Sequence, residues 1–437
     1  MAQQKNIPIR RTLQALFPAT YLRQVARENG AVIRERKVDI VELFWVLVLG
    51  FAAAPKRSLA TLRRDYEKQT GTSIEESSFF KRFNDGLASM LEAALHRGLE
   101  KVSMGANRAL RENLAAFRDV LITDGSVFRL HDMLARSFRG CRTNHSPAAL
   151  KAHLVYSVTG KGRQSLKITN GRKHDGPIFK IGGWVKGNLL LFDLAYFRLD
   201  TFVRIQRFGG YFVSRLKGTT NPTVVLIHSK MTKAQRRHAH WKTLNDLLPW
   251  MKKQGLTTLD AEAIFGNGDR FRIVILKNPH ADSFQTYVTN VIPDVLMAEQ
   301  VRAAYALRWI IELVFKELKS VYRMEDLPSR KKSVVKVLFY AALLTLLTSR
   351  CLLAEMRKRM GPDSDRITEL RWAALFRMIC GEILLLLFTR GGLPALEKKT
   401  SRFLWMEALN PDHRSRPPLL QSVESGNHAY RNRNCYA

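Results

Sequence analysis

The stretch Tyr305–Ser320, YALRWIIELVFKELKS, limits what this chain can fold into more than any other. It lacks Gly and Pro and is rich in Leu, Glu and Lys, so it is expected to form one helix. At about 100° per residue, Tyr305, Arg308, Glu312 and Lys319 fall within roughly 60° of one another, with Lys316 beside them. Leu307, Ile310, Ile311, Val314, Phe315 and Leu318 take the opposite arc, an apolar stripe that a sheet or a second helix must cover. The helix is therefore buried on one side and carries a phenol, a carboxylate and cations on the other.

That polar row would run about 21 Å along the axis, enough to follow successive phosphates of a nucleic-acid strand. The bulk charge agrees. Against 38 Asp and Glu the chain has 71 Lys and Arg, a formal +33, and such a field suits a polyanion, nucleic acid before an anionic membrane. Its 437 residues predict two or three domains, and 46% hydrophobic residues suffice for a sizeable core. Cys141, Cys351, Cys380 and Cys435 form no C-x-x-C pair, which argues against structural zinc and a disulfide framework and suits a reducing cytoplasm. The start, MAQQKNIPIRR, has no apolar signal region. Three apolar runs, Leu43–Pro55, Val337–Ser349 and Ile383–Phe388, are shorter than the ~20 residues that span a bilayer. Lys336 and Arg350 bracket the second, and all three are expected as core helices rather than membrane segments.

Residues 1–115 read as helical, an N-terminal DNA-binding domain in outline. Val38–Ala54 stops at Pro55; Arg57–Gln69 follows, Gly71 breaks the chain, and Ser73-Ile74-Glu75-Glu76 has the capping-box form for a helix through Phe83. Helix, glycine turn, helix is the outline of a helix-turn-helix, with Lys81 and Arg82 placed to reach a groove; a plain helical hairpin fits equally well. From residue 116 the texture becomes strand-like: Val120–Thr123 ending at Asp124-Gly125-Ser126, then Lys151–Val158, Gln164–Thr169 and Leu189–Phe192 ending at Asp193. A helix at Tyr196–Arg207 and a strand at Tyr211–Lys217 complete the order of a ribonuclease-H-like core, so the fold class expected is α/β, with a mixed sheet under the Tyr305–Ser320 helix. Residues 218–293 form a β-rich insertion of low helical content, with strands at Val224–His228, Arg270–Leu276 and Phe284–Val291. Asp294 is the expected N-cap of the next helix. The catalytic region is thus bounded at 116–330, a helical region at 331–410 and a flexible basic tail at 411–437.

Cutting a phosphodiester with two divalent ions needs carboxylates converging from separate elements, because each ion requires oxygen ligands and open positions. Asp124 and Asp193 each end an apolar run, and Glu312 lies on the polar face of the helix. Singly, the two aspartates read as a turn residue and a cap. Together with ITDGS, LFDLAYF and the spacing Y-x2-R-x3-E-x6-K, they resemble the insertion-sequence transposases of the Asp-Asp-Glu class, in the subgroup with a Tyr-Arg-Glu-Lys signature. The resemblance covers roughly residues 116–330. It implies that Asp124, Asp193 and Glu312 hold two Mg2+ or Mn2+ ions and are catalytic, and that Tyr305, Arg308 and Lys319 contact backbone phosphates of double-stranded DNA. Arg215 sits where the family often places another DNA-binding arginine, with Lys217 a weaker candidate. The resemblance also implies a cut-and-paste reaction at inverted repeats by a homodimer, and an aromatic in the insertion, from Trp241, Trp250 and Phe284, on which a flipped base could stack. His174 and Asp175, after a strand, are left outside the triad as turn residues.

Three other readings share part of this pattern. A single-strand transposase or relaxase would use His238-Ala239-His240 and a tyrosine nucleophile, but that triplet lies in the basic stretch QRRHAHW rather than in an apolar strand. A non-catalytic descendant of a transposase would bind DNA alone, and a ribonuclease-H-like repair nuclease would share the metal chemistry without inverted repeats beside its gene.

Overall fold

The structure is a computed structural model that describes residues 6–34, 37–50, 58–102, 110, 112–141, 146–160, 162–174, 176–279, 281–325, 327, 329–361 and 366–409. The expected tail, Cys435, Asp175, Arg57 and the end of the Val38–Ala54 helix lie outside the described residues.

The first described helices are α1 (Ile9–Leu16), α2 (Ala19–Glu28), α3 (Ile40–Trp45, continuing as a π turn over Val46–Gly50), α4 (Leu59–Thr70), α5 (Glu76–Phe80) and α6 (Asp85–Lys101). Local chemistry explains their ends. Asp39 accepts from Val41 N–H at 2.7 Å to start α3, and Gly71 closes α4 in the left-handed region at φ 67°. Glu75, not Ser73, caps α5, accepting from Ser77 and Ser78 N–H, and this helix stops after five residues. Asn84 then caps the 17-residue α6. The second helix of the expected helix-turn-helix is thus a short turn, and α6 buries Leu87, Met90, Leu91, Ala94 and Leu95.

One nine-stranded mixed sheet organises the middle of the chain, in the order β3-β2-β1-β4-β5-β9-β8-β7-β6. The antiparallel meander β1 (Val120–Arg129), β2 (Ala149–Ser157) and β3 (Ser165–Asn170) leads to β4 (Leu189–Phe192), parallel to β1. Then α7 (Leu199–Arg207) crosses to β5 (Tyr211–Arg215), parallel to β4. Strand order 3-2-1-4-5 is that of a ribonuclease-H-like core, as expected. The insertion continues the same sheet: β6 (Thr223–Ile227), β7 (Thr258–Ile264), β8 (Arg270–Lys277) and β9 (Phe284–Thr289) join it where β9 pairs with β5. It also contains α8 (Lys233–Ala239) and α9 (Leu244–Lys253), so its helical content is higher than the sequence suggested.

After β9 come α10 (Ala298–Ala306), α11 (Trp309–Ser320), α12 (Lys332–Met360), α13 (Glu369–Phe388) and α14 (Pro394–Glu407). Asp294 does not cap α10; Met297 occupies that position, its N–H donating to Gln300 Oε1 at 2.7 Å. The sheet is covered on both faces. Ile122, Leu189, Leu191 and Val213 face α10, α11 and α12, while Leu121, Leu190, Phe192 and Phe212 face α7 and α9. Helix α12 is long and apolar enough to cross a membrane by length and composition, yet most of it is buried inside the fold. Arg350, expected to bracket its apolar run, is itself enclosed at 2% exposure.

Candidate active site

The last parallel pairings of three adjacent strands are Thr123 with Phe192 and Phe192 with Ser214. One residue further along each strand stand Asp124, Asp193 and Arg215. Neighbouring strands are about 4.8 Å apart, and residues in register on parallel strands point to the same face, so sheet geometry alone sets the two acids side by side. That face carries the helices from α10 onward. Asp124 does not end its strand as expected: β1 runs on to Arg129 because β2 keeps pairing with it, Asp124 opposite Leu154. Only β4 stops there, and the notch it leaves is the mouth of the site. Asp193 precedes a 3-10 turn, Leu194–Tyr196, without capping it through its side chain. Neither aspartate plays the turn or cap role that its local sequence allowed.

Helix α11 lies over β1 and brings Glu312 to the notch, burying Ile311, Val314, Phe315 and Leu318 as the stripe predicted. The expected single helix over Tyr305–Ser320 is interrupted. Leu307, Arg308, Ile310 and Ile311 donate to carbonyls three residues back rather than four, a tightened turn between α10 and α11. Tyr305 thus lies in the last turn of one helix and Arg308 at the N-cap of the next.

Arg308 sits among the acids. Its Nη2 is 2.5 Å from Glu312 Oε1 and its Nη1 is 3.6 Å from Asp124 Oδ2, with the arginine and aspartate side chains each 19% exposed. Burial pushes the Asp124 carboxyl up to about 6, with Asp193 and Glu312 adding to the rise, although the Gly125 N–H at 2.7 Å and Arg308 oppose it. Burial works against the Arg308 charge too, but Tyr305, Glu312 and Asp193 hold its proton more firmly than usual. Tyr305 is pushed up to about 12, by burial first, and stays a neutral phenol. A strip of cations and rings continues from there: Arg308 lies 6.0 Å from the Tyr305 ring centroid, Tyr305 5.4 Å from Tyr287, and Arg215 5.6 Å from Tyr287. Tyr287, on β9, was not singled out from sequence; the alternation of Phe284–Val291 marked the strand, but only the β5–β9 pairing, Arg215 opposite Tyr287, shows what it touches.

Two expected contacts stand apart from this group. Lys319 lies over Phe128 at 5.3 Å and pairs with Glu325 at 3.3 Å, about 13 Å along β1 from Asp124. Lys217 is exposed beyond the end of β5. Of the aromatics in the insertion, Trp241 is 62% exposed on the segment beside edge strand β6, Trp250 stacks on His238 at 4.6 Å, and Phe284 begins β9 past the end of β5.

As donors, three carboxylates are hard oxygen ligands of the kind that Mg2+ and Mn2+ take, and Asp124, Asp193 and Glu312 share one notch. Among the described residues, however, no three His, Cys, Asp or Glu side chains converge as a ready metal cage. The Arg308 guanidinium lies between two of the acids.

Residues 115–348, more than half of the chain, match the family model described as a transposase DDE domain. Over 396 residues the chain is 22% identical to the transposase for insertion sequence element IS1151 of Clostridium perfringens, covering 83% of this chain and 84% of that protein. It is 25% identical over 408 residues to the transposase for insertion sequence element IS231D of Bacillus thuringiensis subsp. finitimus, covering 81% and 84%. The matched region begins just before β1, ends within α12 and so contains the whole acidic notch: this chain belongs to the family of DDE-domain transposases of insertion sequences.

Proposed function

We propose that the protein is a cut-and-paste transposase of the Tyr-Arg-Glu-Lys subgroup, which binds terminal inverted repeats, frees a 3′-hydroxyl at each end and joins those ends to target DNA. The observation that carries this reading is the position of Asp124 and Asp193, one step past the last paired residues of adjacent parallel strands, with Glu312 on the helix above. Held by these three carboxylates, two Mg2+ or Mn2+ ions would supply activation of the attacking oxygen and stabilisation of the leaving one. The chain itself supplies orientation. Arg215, Tyr305 and Arg308 form a continuous strip beside the acids that can grip a backbone phosphate, the arginines through planar forks. Lys319 and Lys217 extend the basic surface along β1 and past β5. Phe284, although its strand adjoins β5, packs against the face of the sheet covered by α7 and α9, away from the notch, and of the three aromatics named Trp241, 62% exposed, is the one open to an unstacked base. Two protomers, each acting on an end partly held by its partner, fit a reaction that joins two ends, and the place of action is the cytoplasm, at the nucleoid.

The test is Glu312→Gln on a duplex carrying the repeats that border the gene. Cleavage with Mg2+ should fall by about a thousandfold or more, the scale on which a lost transition-state contact acts, while end binding changes less than about threefold. Persistent cleavage would remove Glu312 from the site. Binding without cleavage by the unaltered chain would leave only a DNA-binding descendant.

A further inference from the structure

Arg308 was expected to reach for phosphate, yet in this fold its guanidinium holds two of the three acids. One nitrogen touches Glu312, a turn away on α11, and another faces Asp124 on β1. This grip is incomplete: Arg308 Nε is buried and has no hydrogen-bond partner. Arg272, in the insertion, makes an instructive contrast. Its Nε and Nη2 bond both oxygens of Asp260 at 2.7 and 2.5 Å, and its Nη1 donates to the carbonyls of Val291 and Leu296 at 2.8 Å, so its fork is fully used and buried. Arg308 is held by fewer bonds, sits at the mouth of a notch, and adjoins a strip that suits a phosphate.

We propose that Arg308 is a resident counter-ion that keeps Asp124 and Glu312 from converging on a divalent ion until a DNA phosphate draws its guanidinium away. The inference rests on the catalytic reading above and deepens it by assigning one residue two alternative partners. With the fork on the acids, one oxygen of Glu312 is bonded, one of Asp124 faces the guanidinium, and a positive charge stands where a cation would enter. With the fork on a phosphate, the acids are released and the same charge aids substrate binding. Metal affinity and DNA affinity are then linked, each raising the other by the same factor. A transposase built this way binds metal more tightly once an end is in place.

The experiment is calorimetric titration of Mn2+ into the full-length protein, with and without a pre-cleaved end duplex. For the unaltered chain, the duplex should raise Mn2+ affinity by about tenfold, within the usual range of coupling between sites. Arg308→Gln without DNA should already bind Mn2+ about tenfold more tightly than the unaltered chain, and the duplex should then add less than about twofold. Arg308→Lys, which keeps the charge but cannot fork two carboxylates, should tighten binding by a smaller factor. Arg215→Gln removes a cation from the same strip without touching the acids and should leave the affinity of the free protein within about twofold. Equal or weaker Mn2+ binding by Arg308→Gln, an undiminished effect of DNA on that variant, or an equal gain from Arg215→Gln would each overturn the proposal. If Mn2+ binding is instead indifferent to Asp193→Asn, the metal site itself is misassigned, and the catalytic reading fails together with the inference.

Discussion

Helix α11 carries two arginine–glutamate pairs, and they differ in nearly every respect that governs their strength. Arg308 and Glu312 face the notch at one end of the helix, partly open to solvent and one turn apart. Glu317 points the other way and meets Arg350 of α12 with exposures of 0% and 1%. Burial pushes the Glu317 carboxyl up while Arg350 opposes the shift. Trp372 closes this region, its Nε1–H donating to the Ser349 carbonyl at 3.0 Å. The open pair is reached by solvent, whereas the closed one is walled in, with Glu369 and Tyr322 among its polar neighbours. One helix can therefore be held fast from behind and still offer a partly exposed charge in front.

The sharpest way to break that contrast is to remove one arginine from each pair and compare urea unfolding. Arg350→Met leaves Glu317 buried and unpaired, which costs about 3–5 kcal/mol. Arg308→Gln should cost less, on the order of 1–2 kcal/mol, because its partners are only partly buried and keep access to solvent. Replacing both buried partners, Glu317→Leu with Arg350→Met, should recover most of the loss, because the penalty belongs to the stranded charge rather than to the pair. Equal losses from the two single variants would show that the pairs do not differ as described.

Much of the site was legible locally, and what was not has a common cause. Asp124 and Asp193 stand after apolar runs that any strand reading finds, and the stripe and polar row of α11 follow from spacing. Glu317 breaks the apolar arc of its helix without announcing why, since its partner lies 33 residues away. Strand β7 was missed for the same reason: Asp260 and Glu262 make TLDAEAI look too polar, but across the β7–β8 ladder they meet Arg272 and Arg270. The tight turn at Leu307–Arg308 hides in a run of good helix formers. Each miss is a long-range or geometric fact that a window of neighbours does not contain.

A smaller effect sharpens the comparison from the insertion's side. Arg272 joins β8 to the segment before α10 through the Val291 and Leu296 carbonyls, so it links the insertion to the helices that carry Tyr305 and Glu312. Arg272→Met strands Asp260 and frees both carbonyls. It should cost about 2–4 kcal/mol in urea unfolding, below Arg350→Met because Asp260, at 6% exposure, is less completely enclosed than Glu317. A loss larger than that of Arg350→Met would place the insertion, rather than the C-terminal helices, as the main support of the site.

A last effect has the opposite sign. Burial raises the Asp124 carboxyl from 3.8 to about 6, so in the folded chain it keeps a proton that the unfolded chain has lost. The folded state then binds more protons than the unfolded one between about pH 4 and 6, and stability falls as pH rises through that window. Asp124→Asn removes the charge without changing the shape. In chelator it should match the unaltered chain near pH 4, gain over it progressively to about pH 6, and stay on the order of 1–3 kcal/mol more stable above that. The gain measures what the partly buried Asp124 carboxylate costs the fold. A variant that is less stable than the unaltered chain at pH 8 would mean that Arg308 already compensates Asp124 in full, as Arg272 does Asp260, and the two forks would no longer differ in kind.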